Sequence, residues 1–261
     1  MFKKYLCIYR ECLKVSAAAA LSYRLNFLLD NIIMLISNIL FPLVTLLIYG
    51  SGGKFPDWSL YEVLLIQSVF TISSGIANIL FNGLLWATMR HVIDGSLEIV
   101  LIKPVDCLFF LIATTIDLNS AGLLLGGIVM FAIAVANMGV ITIWMILQAV
   151  LLFLAGLLVM MGISMMMAAT SFKWVANSRI PEIFDSVKYF GRYPQDIFPA
   201  AIRGFTSFIM PVAMVGFFPA AALLGRVSPW SFAAIIPCVL FAAIGVYLYK
   251  HMVHLYEGVG G

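Results

Sequence analysis

The chain has 261 residues, of which 63% are hydrophobic and 10% charged, with a formal net charge of +3 at pH 7. A soluble domain carries roughly 25% charged residues and about 45–50% apolar ones, so this composition leaves no room for a separate soluble domain and describes an integral membrane protein. At ~20 apolar residues per helical crossing of a ~30 Å hydrocarbon core, the length suits several spans and little else.

The chain opens on an amphipathic segment. At 100° per residue, Phe2, Tyr5, Leu6, Tyr9, Cys12 and Leu13 fall on one face, and Lys3, Lys4, Arg10, Glu11 and Lys14 on the other. This predicts a helix over residues 1–22 lying in the membrane interface. The same charges interrupt any signal-peptide core, so the segment is expected to be retained.

Continuous apolar runs then predict six helices, at 25–50, 59–82, 108–136, 140–171, 204–225 and 230–250. Transmembrane β-strands would show alternating segments of ~10 residues, so the expected fold is all-α, a single transmembrane domain over 1–261 with both termini on one side. If that side is cytoplasmic, 13 of the 15 Lys and Arg lie inside, and only Lys54 and Arg226 outside, in the loops 51–57 and 226–229. The 137–139 turn is expected outside with them. Trp58, Trp144 and Trp230 fall at predicted outer ends, and Trp86 and Trp174 at inner ends, the levels that indole prefers. Ser59 and Glu62 read as a capping box at the start of the second span, and Ser228-Pro229 suits the start of the sixth.

Residues 172–203 are predicted as a cytoplasmic or interfacial segment. Within it, Ile180, Ile183, Phe184, Val187 and Phe190 repeat at helical spacing opposite Glu182, Asp185 and Lys188, with Pro181 in the first turn and Gly191 at the end. The fifth run holds Pro211 and Pro219 with Gly204, Gly216 and Gly225, so its helix is expected to be kinked or broken.

Chemistry-bearing motifs are scarce. GSGGKF, Gly50 to Phe55, lacks the spacing and the Ser or Thr of a phosphate-binding loop and reads as an outer turn. His251 and His254 have no nearby third ligand beyond Glu257, so no metal site is expected. Cys7, Cys12, Cys107 and Cys238 show no ligand or redox spacing. No catalytic triad or paired intramembrane carboxylates occur, so the chain is not read as an enzyme. Asp117, Asn119 and Asp30 are placed at the inner interface. Met160, Met161, Met165, Met166 and Met167 suit either helix packing or a deformable substrate wall. Met160, Met161, Met165, Pro211 and Pro219 are the residues assigned to a substrate pathway.

The remaining charge lies in an island, Gly83 to Asp106, too long for a simple turn. Gly95 can break the chain and Ser96 cap a short helix whose Leu97, Val100 and Leu101 share a face, with Glu98 at its positive end and Lys103-Pro104 stopping it. This island resembles that of the permeases of the ATP-binding-cassette type 2 (ABC-2) family. The resemblance rests on the amphipathic N-terminal helix, the six spans, the pattern of Gly95, Leu101, Lys103 and Pro104, and the stretch RYPQDIFP, Arg192 to Pro199.

It implies the membrane subunit of an ATP-driven exporter in a bacterial-type inner membrane, with no nucleic-acid partner. Two identical or homologous permeases would assemble with separate P-loop ATPase subunits, which hold the ATP and magnesium. Gly95 to Leu101 would then be the coupling helix, with Glu98 a polar contact. An amphipathic lipid, drug or peptide is the substrate class that the Met-, Phe- and Gly-rich walls suit. An interfacial anchor is the alternative role for the short helix. An ATP-independent channel or carrier, or a membrane scaffold, is the alternative for the whole chain.

Overall fold

A computed structural model describes residues 2–174 and 179–256. Helix α1 covers Phe2–Ser22 and α2 Arg24–Gly50. Helix α3, Leu60–Ala77, passes through a π turn at Asn78–Asn82 into α4, Gly83–Ile93. The capping box at its start is formed: Ser59 N–H donates to Glu62 Oε2 (2.7 Å) and Glu62 N–H to Ser59 Oγ (3.4 Å). The second span therefore continues to Ile93, and the charged island shrinks to the residues after it.

Short helices α5 (Leu97–Leu101) and α6 (Cys107–Thr114) follow, then α7 (Ala121–Ala136) and α8 (Ile143–Thr170). The expected third span is two helices. The chain breaks at Thr115–Asp117, where Asp117 accepts from Asn119 N–H (3.0 Å) and Ser120 Oγ–H (3.1 Å) and its own N–H donates to Ile79 O. A short polar side chain that bonds the backbone just ahead of it competes with the helical ladder and restarts the helix instead.

Beyond α8 come α9 (Arg179–Lys188), α10 (Ala200–Gly204), α11 (Phe217–Leu223), α12 (Pro229–Ala233) and α13 (Ile235–His254). No strand occurs among the described residues. Five stretches there are long and apolar enough to cross a membrane: Arg24–Gly50, Leu60–Ile93, Leu118–Ala136, Ile143–Thr170 and Pro229–His254. The expected fifth span, 204–225, is not among them. It consists of α10, a π turn at Phe205–Ile209, a 3-10 turn at Val212–Val215 and α11, broken at Pro211 and Gly216. Proline removes a backbone donor and clashes with the preceding turn, which is why the helix stops there.

The helices are held by close approach at small residues, since the lipid is as apolar as the side chains and only packing distinguishes the contact. Gly75 of α3 lies against the Leu124 backbone of α7, and Gly162 of α8 against Gly245 and Ala242 of α13. Buried clusters run the length of the bundle. Met160 sits with Leu152, Val159, Met214 and Cys238, and Met165 with Leu84, Leu97, Leu111 and Tyr249. These two methionines are interior packing side chains, and Met161 packs against the second cluster.

Candidate functional site

Two polar regions stand out, at opposite ends of the bundle. The first surrounds α5. Gly95 takes φ of +66°, the left-handed conformation that glycine adopts without a Cβ penalty, and turns the chain between α4 and α5. Ser96 occupies the cap position, yet its hydroxyl bonds His91 Nδ1 (2.7 Å) and caps nothing. Leu97 and Val100 are buried against Leu84, Leu108 and Met165. Leu101 does not join them. It is 42% exposed, and with Ile99 (61%), Ile102 (81%) and exposed Glu98 it forms an outward apolar face with one carboxylate. A five-residue helix has room for only one buried stripe, and Leu97 and Val100 fill it.

Contacts from three other elements hold this segment. Lys103 lies 4.0 Å from the Phe110 ring centroid, Lys4 Nζ of α1 donates to Pro104 O (3.0 Å), and Lys250 Nζ of α13 meets Asp106 Oδ2 at 2.7 Å. Asp106 also caps α6 by accepting from Phe109 N–H (3.1 Å). Thr88 and Tyr249 share a buried hydrogen bond of 3.0 Å just above. Burial pushes the Asp106 carboxyl up, but the Lys250 ammonium and the Phe109 N–H outweigh it and hold it below the ordinary carboxylate value. The ion pair therefore contributes at pH above that ordinary value and is lost as pH falls through the lowered one. Being half exposed, it is worth at most ~1 kcal/mol. Its role is geometric, tying α13 to the loop that carries α5.

The second region is the broken segment between α9 and α11. Charge counting alone puts 192–203 at the same end as Asp106. The structure places it elsewhere: Asp196 and Arg203 share a cavity of about 740 Å³ with Asp57, Trp58, Arg226 and Trp230. Arg226 fixes this end by pairing with Glu62 (2.8 Å), donating to Asp57 O (3.1 Å) and lying over the Trp58 ring. The reason for the difference is that α9 does not stay in the interface. Its Phe184 and Val187, with Phe190, pack against the α8 cluster, and its continuation brings Gly191 against Val212 O and the Phe70 ring. From there the chain goes on to the Asp57 end, returns through Phe205–Ile209 to bury Met210–Val215 against Gly156 and Ser73, and leaves again along α11. Pro211 is buried in that return, and Pro219 lines an apolar groove with Val69, Phe131 and Phe153.

This re-entrant path buries a cation. Arg192 is 7% exposed, with its guanidinium 4.1 Å from the Phe41 ring centroid, 4.7 Å from Phe70 and 4.4 Å from Tyr189. Phe41 is nine residues before Gly50, where α2 ends, and Phe70 ten after Leu60, where α3 starts, so Arg192 lies ~15 Å into the bundle from that end. Among the described residues no carboxylate pairs with it, and its Nε has no partner. Each ring contributes ~0.5–2 kcal/mol, against several kcal/mol for an ion removed from water. Charge counting treats Arg192 as an ordinary inner basic residue. The clue in the sequence is its setting between Tyr189, Phe190 and Tyr193, directly after a glycine.

Asp117 lies with Asp30, Asn26 and Asn119 in a polar cavity of about 360 Å³ beside α1. Asp117→Asn keeps an acceptor oxygen for Asn119 N–H, so expression and thermal stability should stay within ~1 kcal/mol of the native chain. Asp117→Leu removes both acceptors and should lower stability by ~0.5–2 kcal/mol, as lost caps do. Thermal unfolding of the two purified variants checks this.

A multi-pass all-α bundle with an exposed short helix at one end and a re-entrant segment at the other is the architecture of a polytopic membrane protein. The chain matches the ABC-2 family transporter proteins over residues 32–260, and it belongs to that family. No curated protein matches it significantly.

Proposed function

We propose that the chain is the permease subunit of an ATP-driven exporter, and that Gly95 to Pro104 couples it to a separate ATPase subunit that holds the ATP and magnesium. The observation that carries this reading is the outward face of Glu98, Ile99, Leu101 and Ile102. An exposed run of large apolar side chains around one carboxylate, in the charged segment that follows the second span, is the kind of face that marks a partner site. The same loop is anchored to α1, α6 and α13, so a push on α5 reaches three elements of the bundle.

On this reading α1, the island and both termini are cytoplasmic. The fifth crossing is completed in pieces, with α9 entering from the cytoplasm and 193–223 folded back from the outer side. Two permeases, identical or homologous, enclose the route of an amphipathic substrate. Leu97, Val100, Gly95 and Ser96 hold the coupling helix in place, while Glu98 and Leu101 meet the partner and Lys103 and Pro104 tie its end to α6 and α1.

Copurification with the P-loop ATPase, followed by ATP hydrolysis in vesicles with and without added amphiphile, tests the proposal. A stable complex with stimulated hydrolysis is the expected result. Ion conductance by the chain alone, with no ATPase retained, would point to a channel and overturn it.

A further inference from the structure

We propose that Arg192 recognises the acidic group of an amphiphile carrying one negatively charged head, a phosphate or carboxylate on an apolar chain. This deepens the export reading, on which it rests for the fate of the bound acid. A cation kept ~15 Å inside an apolar bundle without a counter-charge marks a ligand or ion route, because ionisable groups at that depth otherwise pair with one another. Arg192 has no such pair among the described residues, and its Nε–H is buried and unpartnered.

The surroundings fit a headgroup site. Phe70 is fully buried and forms its floor, whereas Phe41 and Tyr189, which cover the guanidinium, are each 39% exposed. These two rings are the partly exposed cover of the cation, on the side of α2, most of whose residues are exposed. One turn on either side of Phe70, on the same face of α3, Gln67 Oε1 and Ser74 Oγ are also buried without partners. The Gln67 amide N–H is committed to Thr45 Oγ1 (2.7 Å), which leaves its oxygen as acceptor and the Ser74 hydroxyl as a second donor. The idle Nε–H can donate to a phosphate or carboxylate oxygen, and the Ser74 hydroxyl, one helical turn from the Phe70 ring that the guanidinium covers, is a second unpartnered donor on that side. A single cation, in spans otherwise nearly free of charge, suits a ligand with one acidic group and disfavours a polyanion.

The test is binding of radiolabelled dodecyl phosphate to the full-length chain in phosphatidylcholine nanodiscs, corrected with protein-free discs and compared with dodecyltrimethylammonium. We expect saturable binding of the phosphate only. Arg192→Gln should weaken it at least ~tenfold, as loss of a buried charge-assisted contact does, and Arg192→Lys should keep part of it. A purely structural cation–π lock predicts lower thermal stability in both variants with no anion preference. Absence of saturable binding to the native chain, or equal phosphate binding by a folded Arg192→Gln, overturns the proposal. Phosphatidylglycerol in the discs separates the sources: competition identifies a bilayer lipid, and its lack a non-lipid acid, either with the Arg192 dependence retained. Since no ATPase is present, failure of the docking reading leaves this result untouched.

Discussion

Ile102→Asp, combined with Leu101→Asp, is expected to abolish retention of the ATPase subunit while leaving expression and thermal unfolding of the permease unchanged. Ile102 is 81% exposed, so a carboxylate there stays hydrated in the free protein, and surface changes of this kind usually stay within about 0.5 kcal/mol. In a complex the same carboxylate would be buried against an apolar pocket without a partner. Central interface residues cost ~2 kcal/mol or more when disrupted, or about thirtyfold in affinity. Glu98→Lys should act in the same direction by reversing the one charge on that face.

The contrasting variant is Leu97→Ala, which empties a fully buried site and should cost ~2–5 kcal/mol of stability. Lys54→Glu, on the 51–57 loop, should change neither property. Full ATPase retention by the Leu101/Ile102 double variant would leave α5 as an anchor in the interface. The sequence pattern groups Leu101 with Leu97 and Val100, so that Leu101→Asp would cost ATPase association by damaging the packed face of the helix, whereas on the outward face it acts at the contact itself. Exposure of Leu101 is what separates the two mechanisms.

Gly216→Ala should disrupt the re-entrant segment. A Cβ at Gly216 would lie 2.5 Å from Gly191 O, 2.8 Å from Phe70 Cβ and 3.1 Å from Ile66 O. All three are backbone or first-carbon atoms that cannot swing aside, and overpacking of this kind costs ~1–3 kcal/mol or more. Because Gly191 and Phe70 also border the Arg192 cage, the variant should lower both the unfolding temperature and dodecyl phosphate binding. Gly204→Ala is the matched control. Nothing lies within 4 Å of its added methyl group, and in α10 alanine should stabilise by roughly 0.5–1 kcal/mol over glycine. Equal unfolding temperatures for the two variants would show that Gly216 and Gly191 can separate at little cost.

Much of the molecule follows from local chemistry. Long apolar runs can satisfy their backbone in lipid only as helices, so the all-α class and five of the membrane-length elements are readable from composition and run length. The Ser59–Glu62 capping box is equally local, since both partners lie within one turn. So is Gly95, where the chain must turn between two short helices.

Tertiary structure alone decides what depends on a distant neighbour. Whether Leu101 is packed or exposed depends on how much of α5 the α4–α6–α8 cluster can cover, and a five-residue pattern does not contain that information. The path after α8 is the larger case. Basic residues in a polar stretch normally mark the cytoplasmic side, and that rule assigns Arg192 and Arg203 there. The rule assumes that a cation inside the bundle has nothing to stabilise it. Phe41 and Phe70, more than 120 residues away in sequence, supply the faces that do, and only the folded chain brings them to Arg192.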